Sequence, residues 1–213
     1  MAATIEDLAQ AVFDGDSKKA KKLSQKLIDA GEAPLDVINQ GLMGGMSEVG
    51  VQFQAGTMFV PDVMAAAEAM AAGVELVKPL ISHEDIKSLG TVYMCTVKGD
   101  LHDIGKNLVI MMLEGAGFTV INAGVDIAPE KIVEDVKELH PDIIGMSALL
   151  TTTMLHMKDT IELLKEEGLR DQVKVIIGGA PVSQDFADEI TADGYSPDAV
   201  SAADLAKSLV GAA

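Results

Sequence analysis

Three residue clusters between positions 100 and 179 of this 213-residue chain could do chemistry together: Asp100-x-His102-x-x-Gly105, Ser147-x-Leu149 and Gly178-Gly179. An imidazole is a common neutral nitrogen ligand for a borderline transition metal. A carboxylate two residues earlier can accept its other N–H, which fixes the tautomer and raises the donor strength. Asp100 is placed to do this for His102, and the Ser147 hydroxyl could extend the relay. The three glycines remove side chains where backbone must approach a bulky ligand. One histidine and one carboxylate cannot hold a bare catalytic zinc, which wants three or four protein ligands. A metal bound here must bring its own equatorial ligands, as a macrocycle does.

The elements around these residues predict how they meet. TVYMCTV (91–97), TVINAG (119–124), DIIGMSAL (142–149) and KVIIGGA (174–180) are short apolar runs. Helical stretches near 104–115, 129–139, 154–167 and 183–190 separate them. Such alternation means a parallel sheet covered on both faces. A short strand near 194–200 and a helix near 202–210 complete a flavodoxin-like doubly wound sheet of five strands, order 2-1-3-4-5. In that order the three clusters end neighbouring strands and share one rim, at the switch point where such sheets bind ligands.

Residues 1–88 read instead as a small four-helix bundle over 4–14, 16–30, 34–55 and 61–78, in front of an α/β domain at 89–213. Gly41, Gly44, Gly45 and Gly50 make the third helix look loose, and Pro61 sits at a first-turn position. The linker is placed at 82–90 (SHEDIKSLG).

Composition excludes several classes. The net charge of −17 argues against nucleic acid and anionic membrane as partners, since both need clustered Lys and Arg. The first twenty residues show no secretion signal, and no apolar run reaches membrane-span length, so a cytoplasmic location is the default. One cysteine, Cys95, excludes an internal disulfide and a Cys-cluster metal site.

GDLHDIGKNLV (99–109), then 41 residues (106–146) between Gly105 and Ser147, then 28 residues (150–177) before Gly178-Gly179, closely resembles the signature of the corrinoid methyl carriers and of methionine synthase's cobalamin module. The resemblance implies base-off cobalamin with His102 as lower cobalt ligand and Asp100 and Ser147 as its proton relay. It implies cofactor contacts at Asp103, Ile104, Gly105, Ser147, Leu149, Thr151, Gly178, Gly179 and Ala180. EVGVQFQAGTMFVPDVMAAAEAM (48–70) is similar to the family's cap helices, which implies that Phe53 and Val60 shield the upper corrin face. The family more often has leucine at the second position, and glycine where this chain has Thr191.

The function so implied is that of a non-catalytic carrier subunit, methylcobalamin being its loaded state. A donor-specific methyltransferase supplies the methyl group, a second methyltransferase passes it to a thiol or a tetrahydrofolate-type pterin, and a reductive activase serves as a third partner. Methylamines, quaternary amines, methanol and methoxylated aromatics remain open as donors. A cobalamin sensor would carry a helix-turn-helix or signalling domain. The small subunit of an adenosylcobalamin mutase would lack the 48–70 region, and a receiver domain would end its third strand in aspartate where Ser147 stands.

Alone, a histidine in a strand-to-helix loop is usually a surface residue, and His83, His140 and His156, which lack the company of His102, read as such. Cys95 reads as a small buried hydrophobe, the twelve methionines as core filler, and the Lys18–Lys22 run as a solvated helix face.

Overall fold

A computed structural model describes residues 3–81 and 88–212. Residues 82–87 of the expected linker, with His83, lie outside the described residues. The chain divides into two compact units. One is Met1–Lys87 with Gly115–Gly117, and the other is Ser88–Glu114 with Phe118–Ala213.

The first unit is helical: α1 (Ile5–Phe13), α2 (Ser17–Asp29), α3 (Pro34–Asp36), α4 (Met43–Gln54) and α5 (Val60–Val77). Thr4 caps α1 by accepting from the Asp7 N–H while the Asp7 carboxylate accepts from the Thr4 N–H, and Asp16 caps α2. The third predicted helix is continuous from Pro34 to Gln54, but a π-helical stretch at Val37–Leu42 joins α3 to α4.

Two of its glycines, Gly41 and Gly45, mark close approaches and not looseness. A Cβ on Gly45 would stand 2.5 Å from the Ala9 carbonyl oxygen and 2.8 Å from the Val12 Cβ. One on Gly41 would stand 2.7 Å from Leu8, and one on Gly73 of α5 would stand 2.5 Å from Leu42. These glycines let helix backbones close on α1 and on each other, and Leu8, Val12, Leu27, Leu42, Val49 and Val63 fill the core between.

The second unit is the expected doubly wound sheet. Its strands are β1 (Thr91–Val97), β2 (Thr119–Ile127), β3 (Ile143–Ser147), β4 (Lys174–Gly178) and β5 (Gly194–Ser196), all parallel, in the order β2-β1-β3-β4-β5. The intervening helices are α6 (Ile104–Gly115), α7 (Pro129–Leu139), α8 (Leu155–Glu166), α9 (Gln184–Ile190) and α10 (Ala199–Leu209). Ile144, Met146, Val175 and Ile177 meet Ile132, Val136, Met157 and Ile161 in one core cluster. Burial pushes the Cys95 thiol in β1 up to about 12, the behaviour of a buried hydrophobe.

β2 runs three residues further than its apolar run, through Gly124 to Ile127. Its register with β1 slips twice, after Met94↔Asn122 and again between Cys95↔Gly124 and Val97↔Ile127. Each slip places one extra residue on β2.

Thr191 follows α9 with a φ of +61°, the left-handed conformation that glycine adopts freely. The threonine keeps it because Lys165 Nζ donates to its hydroxyl at 2.8 Å and Arg170 donates to its carbonyl at 2.7 Å.

Candidate functional site

The loop after β1 carries the two residues with most to offer. Asp100 is fully buried while the His102 side chain is 54% exposed, and His102 Nδ1 lies 2.7 Å from Asp100 Oδ1. A carboxylate can only accept there, so Nδ1 carries a proton and Nε2 is the ring nitrogen left for another partner. Nε2 has no hydrogen-bond partner among the described residues.

Burial alone would raise the Asp100 carboxyl. The hydrogen bonds it accepts outweigh that and hold it well below the usual carboxylate range. The donors are the Leu149 N–H and the Thr153 hydroxyl, each 2.7 Å from Oδ2, then the His102 ring and the His102 N–H. The carboxylate is therefore a fixed anion that sets the imidazole tautomer and its direction.

Ser147 ends β3 in register with Thr96 and Gly178, as expected, but its hydroxyl is not among the partners of Asp100. Thr153, six residues further on and buried, makes that contact. The hydroxyl that meets Asp100 is thus that of Thr153 and not the expected Ser147, because the turn after β3 brings position 153 back under the β1 loop. The run Thr151-Thr152-Thr153 puts three hydroxyls in that turn, of which 151 and 152 face solvent.

Gly178 and Gly179 are demanded by the protein's own backbone. A Cβ on Gly178 would lie 2.9 Å from the Ser196 carbonyl oxygen. Gly179, with φ +125°, has the Ala148 carbonyl oxygen where its Cβ would be. Gly105 is different, since nothing lies within 4 Å of a Cβ there. Asp103 accepts from Asn107, and Ala180 is exposed beyond the double glycine.

Around the imidazole the rim is apolar and open. Leu101 is 70% and Ile104 74% exposed, and Leu149, Leu150 and Leu155 are also exposed at the neighbouring strand end. A large apolar surface around one free imidazole nitrogen fits a flat macrocycle with a metal at its centre. Among the described residues no group of three or more His, Cys, Asp or Glu could hold a metal ion. In the helical unit Phe53 (α4) and Val60 (start of α5) are half-buried, while Val51, Phe59 and Met64 of the same corner are exposed.

One further residue was not legible beforehand. Asp126, in β2 with φ +57°, accepts from the Gly99 N–H at 2.7 Å through Oδ1. Its own N–H donates to the Asp100 carbonyl at 3.0 Å.

A parallel sheet with a histidine–carboxylate pair and an apolar rim at its switch point defines a cobalamin-binding α/β domain, here preceded by helices. Comparison with known proteins agrees. Residues 90–204 and residues 4–78 match two families, each described as B12 binding domain. A corrinoid protein of Desulfitobacterium hafniense is 45% identical over 97% of both chains. The dimethylamine corrinoid protein 1 of Methanosarcina acetivorans is 48% identical, again over 97% of both. Among solved structures, the methanol:cobalamin methyltransferase complex MtaBC from Methanosarcina barkeri superposes with a TM-score of 0.88 and 34% identity, over 98% of this chain and 80% of that one. The chain belongs to the corrinoid proteins, and cobalamin is its cofactor.

Proposed function

We propose that this chain is a methyl carrier in which His102 Nε2 ligates cobalt from below, within a cobalamin-binding domain at 89–213. The observation that carries the reading is the free Nε2 of an imidazole whose Nδ1 is tied at 2.7 Å to a buried, hydrogen-bonded carboxylate. Bound cobalamin supplies the cobalt on which a methyl group is held.

Each protein group then has a task. Asp100 keeps the Nδ1 proton and so keeps Nε2 a donor; Thr153 and the Leu149 N–H keep Asp100 ionised. Leu101, Ile104 and Leu149 offer apolar surface to the macrocycle, with Asp103, Gly105, Ser147, Thr151, Gly178, Gly179 and Ala180 along the same strand ends as further cofactor contacts. The cap role implied for residues 1–88, with Phe53 and Val60 as the shielding residues, is supported by the likeness of 48–70 to the family's cap helices.

The transfers themselves belong to a donor-specific methyltransferase and an acceptor methyltransferase, with a reductive activase as third partner, all met in the cytoplasm. The methyltransferase complex among the similar structures supports such a partnership. A donor enzyme of the methylamine class is supported by 48% identity to a dimethylamine corrinoid protein and 46% to a trimethylamine corrinoid protein. Offering the reduced, cobalamin-loaded protein to methylamine and to methanol methyltransferases checks this; methylation by the methanol enzyme alone would reverse it.

The ligand assignment is tested by His102→Gly. The variant should still take up cobalamin through the rim, while the absorption spectrum of histidine-ligated cobalt is lost. An unchanged spectrum in that variant refutes the assignment.

A further inference from the structure

The loop bearing Asp100 and His102 is held at several points. Within the β1 side, the Thr96 hydroxyl donates to the His102 carbonyl at 2.9 Å, and the His102 N–H donates to Asp100 Oδ1 at 3.1 Å. Leu149 and Thr153 hold the Asp100 carboxylate from the β3 side, and a further hold comes from β2. Gly99 N–H donates to Asp126 Oδ1 at 2.7 Å, and Asp126 N–H donates to the Asp100 carbonyl at 3.0 Å. Two bonds running in opposite directions, between one residue and two consecutive loop residues, fix the rotation of the segment from which the Asp100 side chain projects.

Asp126 reaches this place at a conformational cost. Its φ of +57° lies in the left-handed region, which aspartate tolerates better than most residues but still disfavours. The two extra residues on β2 bring it opposite the loop. An exposed aspartate in a disfavoured conformation, bonded reciprocally to the peptides around a buried site carboxylate, is the arrangement expected of a group kept for what it holds.

We propose that Asp126 is a positioning residue: it locks Gly99 and Asp100 so that Asp100, and through it His102 Nε2, is already aimed before the cofactor arrives. This rests on His102 being the lower ligand. A site aimed in advance spends less of its binding energy on ordering the ligand, so losing the lock weakens histidine ligation more than cofactor uptake.

The test uses the whole chain loaded with cob(II)inamide, which lacks a lower nucleotide base, so nitrogen splitting in its electron paramagnetic resonance spectrum reports a protein ligand. The wild type should show the splitting and His102→Gly should not. Asp126→Gly accepts the positive φ without strain and removes the carboxylate, with a freer backbone as the side effect. It should lower the ratio of nitrogen-ligated to unligated cobalt about fivefold, the worth of one ordinary hydrogen bond. Asp126→Asn keeps an acceptor oxygen and should stay within about twofold of wild type. In the cofactor-free protein, hydrogen exchange at the Gly99 amide should quicken in Asp126→Gly and not in Asp126→Asn. Wild-type cobalt without nitrogen splitting overturns the ligand assignment and this inference with it. Splitting present in the wild type and undiminished in Asp126→Gly, with unchanged Gly99 exchange, overturns the role of Asp126 alone.

Discussion

Asp100 is the most constrained side chain of the site, and its constraints come from residues far apart in the chain. Thr153 and Leu149 both donate to Oδ2, and His102 to Oδ1. Thr153→Val should remove one donor from a buried carboxylate and cost about 1–3 kcal/mol in chemical denaturation of the cofactor-free protein. Ser147→Ala, which removes no contact to Asp100, should stay within about 0.5 kcal/mol. The opposite ranking would mean that Ser147, not Thr153, supports the buried carboxylate. The His102–Asp100 pair was legible in the sequence because their chemistry depends on residue type and a spacing of two. Thr153 was not, since only the path of the turn after β3 decides which of three adjacent threonines points inward. Asp126 was hidden for a similar reason: its reach depends on two register slips in β2, and an aspartate late in a strand carries no mark of that.

Among the elements, the close approach of α4 to α1 gives the sharpest expectation. Gly45→Ala would force a methyl group against the Ala9 carbonyl and should cost about 1–3 kcal/mol, as overpacking does. Gly44→Ala meets only ordinary contact, 3.9 Å from the Asn39 carbonyl oxygen, and should stabilise by about 0.5–1 kcal/mol through helix propensity. Thermal unfolding of the two variants in parallel checks the pair. Strand and helix positions followed closely from the apolar runs, because strands buried on both faces must be nearly continuous in Val, Ile and Met. The glycine-rich third helix was found but misjudged, since spacing alone does not tell a glycine that loosens a helix from one on which a neighbour rests. The π turn at Val37–Leu42 left no trace in residue type at all.

Taken whole, the molecule has a stability that should fall on the alkaline side. Burial raises both Tyr93 and Cys95 in β1, and the hydrogen bond to Asp135 adds to the shift of Tyr93. The folded state keeps protons that the unfolded chain gives up, so stability decreases as pH rises past the ordinary thiol value of 9.0 toward about 12. Denaturant midpoints between those limits should drop less steeply in Cys95→Ala, the difference approaching one proton, or about 1.4 kcal/mol per pH unit. Equal slopes would mean that the thiol ionises as readily in the fold as outside it. The net charge of −17 keeps such a chain apart from polyanions, and no helix among the described residues is long and apolar enough to cross a membrane.

The double slip in β2 has a second effect, at the border of the sheet. β2 is an outermost strand, nine residues long, and an unbroken one would offer a ladder of vacant amides to the strand of any passing chain. Gly124 and Asp126, both at positive φ, break that ladder. The kink that carries a carboxylate to the loop of Asp100 and His102 also makes this edge a poor template for aggregation.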